Sequence, residues 1–304
     1  MSIPRFQGTG VAMVTPFLEN GDLDLPSLRK LIDHLILGEV EYLVVLGTTG
    51  ETATLNTDEK QRIFSEVAFI NDGRLPLVAG IGGNDTREVS HALTAFDLDG
   101  YSAILSVSPY YNKPNQEGLF RHYLQLSESS PLPLMMYNVP GRTGMNVSAD
   151  TTLRIANSCK NIFATKEASG NMDQVSRILK YKPEAFQVIS GDDGVTLPMM
   201  AMGSIGVISV VANAYPLIFS RMVRHCLEGN FEAARPLHFQ LIDVINSMFE
   251  EGNPSGLKAY LSEMGICGNN FRLPVAPVSR GLQAKIMELM AEVAARNVDH
   301  AKGI

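Results

Sequence analysis

Eight short runs rich in Val, Ile and Leu punctuate the first two-thirds of the chain. They are VAMVTPF from Val11, YLVVLG from Tyr42, PLVAGIG from Pro76, AILSVSP from Ala103, PLMMYNV from Pro133, IFATKE from Ile162, FQVISGDD from Phe186 and IGVISV from Ile205. Their apolar character is nearly continuous rather than alternating, as in strands covered by helices on both faces. Between most of them lie stretches of helical period, such as residues 24–38 and 56–71, the latter opening on an N-cap-type Asn or Thr followed by acids. The runs recur at intervals of 19 to 34 residues. Eight such alternations predict a (β/α)8 TIM barrel, whereas an open doubly wound sheet lacks its G-x-G-x-x-G after the first strand.

Beyond about residue 212 the strand pattern stops, and stretches beginning AYPLIF, NFEAAR, NPSGLK and SRGLQA read as helices. The first closes the outer ring, and the other three form a small C-terminal all-helical domain. The expected division is a catalytic barrel over 1–229 and a helical domain over 230–304.

Composition narrows the partners. With 45% hydrophobic and 19% charged residues the chain reads as globular, and a formal net charge of -7 with interspersed signs leaves no basic stripe for a nucleic-acid backbone. No apolar run approaches the ~20 residues that span a bilayer, and MSIPRFQGTG has no charged segment followed by an apolar stretch. Cys159, Cys226 and Cys267 lie far apart without metal or redox spacing, so they read as buried thiols in a reducing compartment and the expected location is the cytoplasm. His34, His91, His122, His225, His238 and His300 fall on predicted helices or the tail, so no metal site is expected.

In a barrel of this kind chemistry sits at the C-terminal ends of the strands. Thr15 follows the first run, GTTGE (Gly47 to Glu51) the second, PYYNKP the fourth and YNVPGRTG the fifth; Lys166 ends the sixth and SGDD the seventh. At Lys166, burial disfavours the charged form and leaves a neutral amine able to attack a carbonyl. The competing reading is a buried stem with its head paired to a carboxylate, for which the adjacent Glu167 is poorly placed because neighbours on a strand face opposite ways. GTTGE either gathers backbone N–H groups with Thr48 and Thr49 around a small carboxylate or is simply a turn. Tyr137 is either a proton relay or a core tyrosine, and Arg142 either clamps a carboxylate or is a surface charge. Tyr110 and Tyr111 suit an interface, and Asp192 and Asp193 read as caps of the next helix.

Taken together these strand ends resemble the pyruvate-dependent class I aldolase superfamily typified by dihydrodipicolinate synthase and N-acetylneuraminate lyase. The match is to the synthase branch and runs from GVAMVTPF through LGTTGETATLN, SPYYNKPNQEGL, YNVPGRTG, TKEASGN, SGDD and GVISVVAN to NPSGLKAYL and RLPVAPVS. The resemblance implies condensation of pyruvate with aspartate 4-semialdehyde, with no cofactor. Lys166 would form the Schiff base. Tyr137, Thr49 and Tyr111 would relay protons, Tyr111 entering from a neighbouring subunit. Thr48 and Thr49 would hold the pyruvate carboxylate, Arg142 the semialdehyde carboxylate, and Gly191 and Ile208 would line the pocket.

A sugar 2-keto-acid lyase is the nearest alternative, but such members typically carry Ser-Thr in the GTTGE element and lack an Arg142-type clamp. Retention of Lys166, Tyr137, Thr49 and Tyr111 argues against a noncatalytic pyruvate sensor, and no glycine-rich phosphate loop follows the seventh or eighth run. Feedback-inhibited relatives bind lysine at positions matching Ala53, Thr57, Lys60, Asn84, Glu88 and Tyr110. Lys60 stands where sensitive members have His or Glu and would repel the ligand's ammonium, so weak or absent inhibition is expected. The resemblance also implies a homotetramer built as a dimer of dimers.

Overall fold

In the computed structural model, which describes residues 6–302, eight parallel strands pair in chain order and close, the last on the first. They are β1 (Gly8–Ala12), β2 (Tyr42–Val45), β3 (Leu77–Gly80), β4 (Tyr101–Val107), β5 (Leu134–Asn138), β6 (Ile162–Glu167), β7 (Gln187–Ser190) and β8 (Gly206–Ser209). Around them run α1 (Leu25–Leu37), α2 (Thr57–Asn71), α3 (Thr86–Ala95), α4 (Gln116–Ser129), α5 (Pro140–Thr143), α6 (Ala149–Ser158), α7 (Met172–Tyr181), α8 (Thr196–Ala201) and α9 (Pro216–Leu227). The helix boundaries follow local chemistry. Asp24 caps α1 through Ser27 N, and Asn56 with Glu59 forms a reciprocal capping box on α2.

Alternation along each strand separates two layers. Ala12, Val44, Val78, Leu105, Tyr137, Ile189 and Ile208 fill the interior, while Val11, Leu43, Val45, Ile104, Met136 and Val207 face the helices. Phe6 is buried in the interior cluster, edge-on to Tyr42 with ring centres 5.0 Å apart. Beside it, β1 passes so close to the Tyr42 ring that a Cβ at Gly10 would lie 2.1 Å from it. Only glycine fits there.

The first apolar run is offset from its strand: β1 ends at Ala12, and Met13 to Phe17 continue buried outside the sheet. Phe17 lies under the side chains of Lys258 and Arg272, so this half of the run records burial by the C-terminal segment rather than strand pairing.

The four late helices are all present. As expected, α9 packs on β1 and α8. α10 (Phe231–Glu250), α11 (Ser255–Glu263) and α12 (Arg280–Lys302) follow, α10 packing on α9 and on both later helices. The expected division at 229/230 falls between α9 and α10, and the apolar core runs across it from Val11 and Leu43 to Leu241, Val244, Leu257 and Leu261. Among the described residues no helix is long and apolar enough to cross a membrane.

Candidate active site

β6 is buried along its whole length. Lys166 pairs in register with Tyr137 of β5 and Ile189 of β7, so these three side chains share the interior face. Lys166 is 4% exposed, and its Nζ lies 4.3 Å from the centre of the Tyr137 ring. Among the described residues no carboxylate forms an ion pair with it.

Glu167 faces the other way, as strand geometry requires. Its carboxylate accepts hydrogen bonds from Asn138 Nδ2 (3.0 and 3.1 Å), Ser169 N (2.8 Å) and Gln174 Nε2 (3.2 Å). That network ties the ends of β5 and β6 together on the face opposite Lys166.

A cavity of about 320 Å³ opens over Lys166 and is lined by Thr48, Thr49, Tyr137, Arg142, Gly191 and Asn253 among others. Gly191 makes the room: a Cβ there would lie 3.0 Å from both Cγ and Cε of Lys166. Thr48–Gly50 forms a 3-10 turn whose carbonyl at Gly50 accepts the Thr15 hydroxyl at 2.7 Å. Thr49 Oγ1 accepts a hydrogen bond from Asn253 Nδ2 at 3.0 Å, and Arg142 Nη2 donates to the Asn253 carbonyl at 3.2 Å. Arg142 thus sits on α5 rather than in an irregular loop.

A second cavity, about 380 Å³, adjoins the first and shares Thr48, Tyr137, Val139, Arg142 and Asn253 with it. It reaches Ala53, Lys60 and Tyr110. Burial lowers the pKa of Lys60, which has no carboxylate partner among the described residues.

The other expected positions lie elsewhere. Tyr111 is 88% exposed with φ 72° and lines neither cavity, so one chain does not bring it to Lys166. Ile208 belongs to the interior layer beneath the cavities, not to either wall. Thr57 opens α2 and Glu88 lies in the first turn of α3, both outside the cavities. Asn84 binds the Tyr110 carbonyl through Nδ2 at 3.1 Å.

The two adjacent aspartates divide their work, which corrects the reading of both as helix caps. Asp192 accepts from Gly194 N at 3.0 Å and caps only a 3-10 turn, Asp193–Val195. Asp193 instead points inward and takes the backbone N–H groups of Val210 and Val211 at 2.9 and 2.8 Å, fixing the end of β8. Burial pushes its carboxyl up to about 6.

All six histidines lie on helices. His122 is buried, its Nδ1 2.9 Å from the Thr86 hydroxyl, and burial lowers its pKa to about 4. Among the described residues no group of three or more His, Cys, Asp or Glu could hold a metal ion.

Three residues at or beside the site escaped sequence reasoning: Asn253 and Glu51, which line the cavities, and Lys258, which pairs with Glu51. Glu51 Oε1 and Lys258 Nζ form a fully buried ion pair of 2.5 Å. The available signal was a lysine inside the otherwise apolar GLKAYL of a motif to which no role attached.

The family model described as the dihydrodipicolinate synthetase family matches residues 5–293. A 4-hydroxy-tetrahydrodipicolinate synthase of Parabacteroides distasonis is 48% identical over 289 residues, covering 95% of this chain and 97% of the relative. One from Flavobacterium psychrophilum is 47% identical over 281 residues, covering 92% and 96%. The crystal structure of dihydrodipicolinate synthase from Aquifex aeolicus superposes with a TM-score of 0.91 at 39% identity, covering 94% of this chain and 98% of that one. The chain belongs to the dihydrodipicolinate synthetase family.

Proposed function

We propose that this enzyme is a 4-hydroxy-tetrahydrodipicolinate synthase, joining pyruvate to L-aspartate 4-semialdehyde through a Schiff base on Lys166 in the diaminopimelate route to lysine. The observation that carries the reading is a buried lysine that has no anionic partner among the described residues and faces a cavity beside Tyr137. An amine so placed attacks the ketone carbon of pyruvate and water leaves as the imine forms. The imine withdraws electrons, a methyl proton departs, and the resulting enamine attacks the aldehyde carbon. The semialdehyde's own amine then displaces Lys166 and closes the ring. One water is lost overall.

Tyr137, Thr49 and a neighbouring subunit's Tyr111 relay the protons of these steps. The exposure of Tyr111 and its absence from the cavities of its own chain support that assignment. Thr48 and Thr49 hold the pyruvate carboxylate, and Arg142, tethered through Asn253 at the mouth, receives that of the semialdehyde. Gly191 leaves space for the adduct, while Ile208 supports the floor. The active assembly is a homotetramer, a dimer of dimers.

Incubation with pyruvate and borohydride should add a pyruvate-derived mass to the peptide containing Lys166. No adduct, or one elsewhere, rejects the role. Tyr137→Phe should retain the fold and lose ~10²- to 10⁴-fold in turnover. A panel of aldehydes, aspartate semialdehyde and N-acetylmannosamine among them, separates the synthase from a sugar-acid lyase.

A further inference from the structure

Two long-range ties join the turn that carries Thr49 to the start of α11. Asn253 Nδ2 donates to Thr49 Oγ1 across 204 residues of sequence, and Lys258 Nζ meets Glu51 Oε1 across 207. The same two segments are therefore stitched twice. Lys258 lies one turn into α11, its backbone N–H bonded to the Pro254 carbonyl at 2.9 Å, so a shift of Lys258 moves Asn253 with it.

The ion pair is built deep. Both side chains are essentially inaccessible, Nζ also donates to the Asn270 carbonyl at 2.9 Å, and the rings of Phe17 and Phe271 flank it at 4.5 and 4.8 Å. Glu51 itself holds a left-handed backbone, φ 53°, directly after Thr48–Gly50, and its carbonyl accepts from both the N–H and the hydroxyl of Thr54. A non-glycine residue in that conformation persists where its surroundings over-determine it. Here the carboxylate's partner is what lies outside the turn.

We propose that the buried Glu51–Lys258 ion pair is a positioning device for the Thr48–Thr49 turn. It fixes the C-terminal helical segment against the barrel mouth so that the Asn253 amide meets the Thr49 hydroxyl. Because that amide donates to Thr49 Oγ1, the Thr49 proton is directed away from it, into the cavity that holds Tyr137 and Lys166. This inference rests on the reading of Lys166 as a Schiff-base lysine. It makes the segment after residue 230 part of the proton-handling machinery, although none of its residues reacts.

Removing one member of a buried pair strands the other charge and destabilises the fold, whereas replacing both by apolar groups of similar volume is tolerated. The test therefore uses Glu51→Met with Lys258→Met in one protein, Asn253→Ala alone, and the triple variant. A misplacement of 1 Å at a reacting group costs about 10²-fold. The double variant should keep its thermal midpoint yet lose at least tenfold in kcat and in the rate of borohydride-trapped pyruvate adduct. KM for the aldehyde should change less than threefold. Adding Asn253→Ala to the double variant should then cost less than twofold more, because both changes break one arrangement.

A double variant within twofold of wild-type kcat overturns the proposal. So does a triple variant showing the full product of the separate losses. Should the methionine pair fail to fold, Asn253→Ala decides by itself, since a kcat within twofold of wild type removes the link to Thr49. Trapping needs no aldehyde, so a wrong aldehyde assignment leaves the comparison intact, and a wild-type protein that does not trap pyruvate rejects the parent reading instead.

Discussion

Gly191→Ala tests the site with a single methyl group. Gly191 does not require a left-handed backbone, so alanine is permitted by conformation and the whole effect is steric. The added carbon would lie 3.0 Å from Cγ and Cε of Lys166 and 2.8 Å from Ala168 Cβ. Carbon atoms rest at about 3.5–4.0 Å, so the overlap is on the order of 0.5–1 Å. The backbone at 191 is pinned by its N–H to the Glu167 carbonyl at 2.8 Å, leaving the lysine stem to move. Overpacking of this size costs ~1–3 kcal/mol in stability, and a nucleophile displaced by about 1 Å loses ~10²-fold in rate. Thermal melts should show a modest drop in midpoint, while stopped-time trapping of the Lys166–pyruvate adduct slows about a hundredfold. Trapping within twofold of wild type would refute the assignment of Gly191 as the residue that makes room for the reacting amine.

Three further outcomes are expected. His122 is held neutral by burial, with its pKa lowered from 6.5 to about 4, so between those values the unfolded chain binds a proton that the native protein does not. Its contribution is complete above pH 6.5 and lost as pH falls through 4, about 2 kcal/mol by pH 5. Urea unfolding of His122→Asn should lack that part of the acid loss, and identical pH slopes for the two proteins would contradict it. Free lysine should inhibit weakly or not at all because Lys60, which has no carboxylate partner among the described residues, lines the cavity beside Ala53 and Tyr110. Micromolar inhibition of the wild type overturns this, and Lys60→Glu should strengthen inhibition at least tenfold. If Tyr111 completes a neighbour's site, turnover should vanish on dilution to monomers, and an active monomer in sedimentation removes that role.

The features legible in the sequence were those set by near neighbours. Continuous apolar runs located the barrel, Asp24 and Asn56 marked helix starts, and strand parity separated Lys166 from Glu167. Tertiary contacts fixed the rest. The offset of the first strand follows from Phe17, whose hydrophobicity answers to the C-terminal segment and not to a strand partner. Asp193 has the residue type of a cap, yet it spans to Val210 and Val211 because the end of β8 offers two free N–H groups that no nearby sequence announces. Asn253 opens the NPSGLKAYL motif, but its partner Thr49 is 204 residues away in sequence, so nothing local announces the contact.

Lys166 and Lys258 show most sharply where such reading stops. Each is buried and each interrupts an apolar run, so composition and periodicity treat them alike. Their surroundings differ in one respect. Lys258 has a carboxylate at 2.5 Å and a carbonyl at 2.9 Å, a set of acceptors that holds an ammonium in place, and it lines neither cavity. Lys166 has an aromatic ring at 4.3 Å, an open cavity, and a neighbouring carboxylate turned to the far side of the strand and saturated by other donors. Burial alone is therefore neutral between a structural and a covalent role for a lysine. What separates the two is the anion: Lys258 has one in Glu51, and Lys166 has none among the described residues.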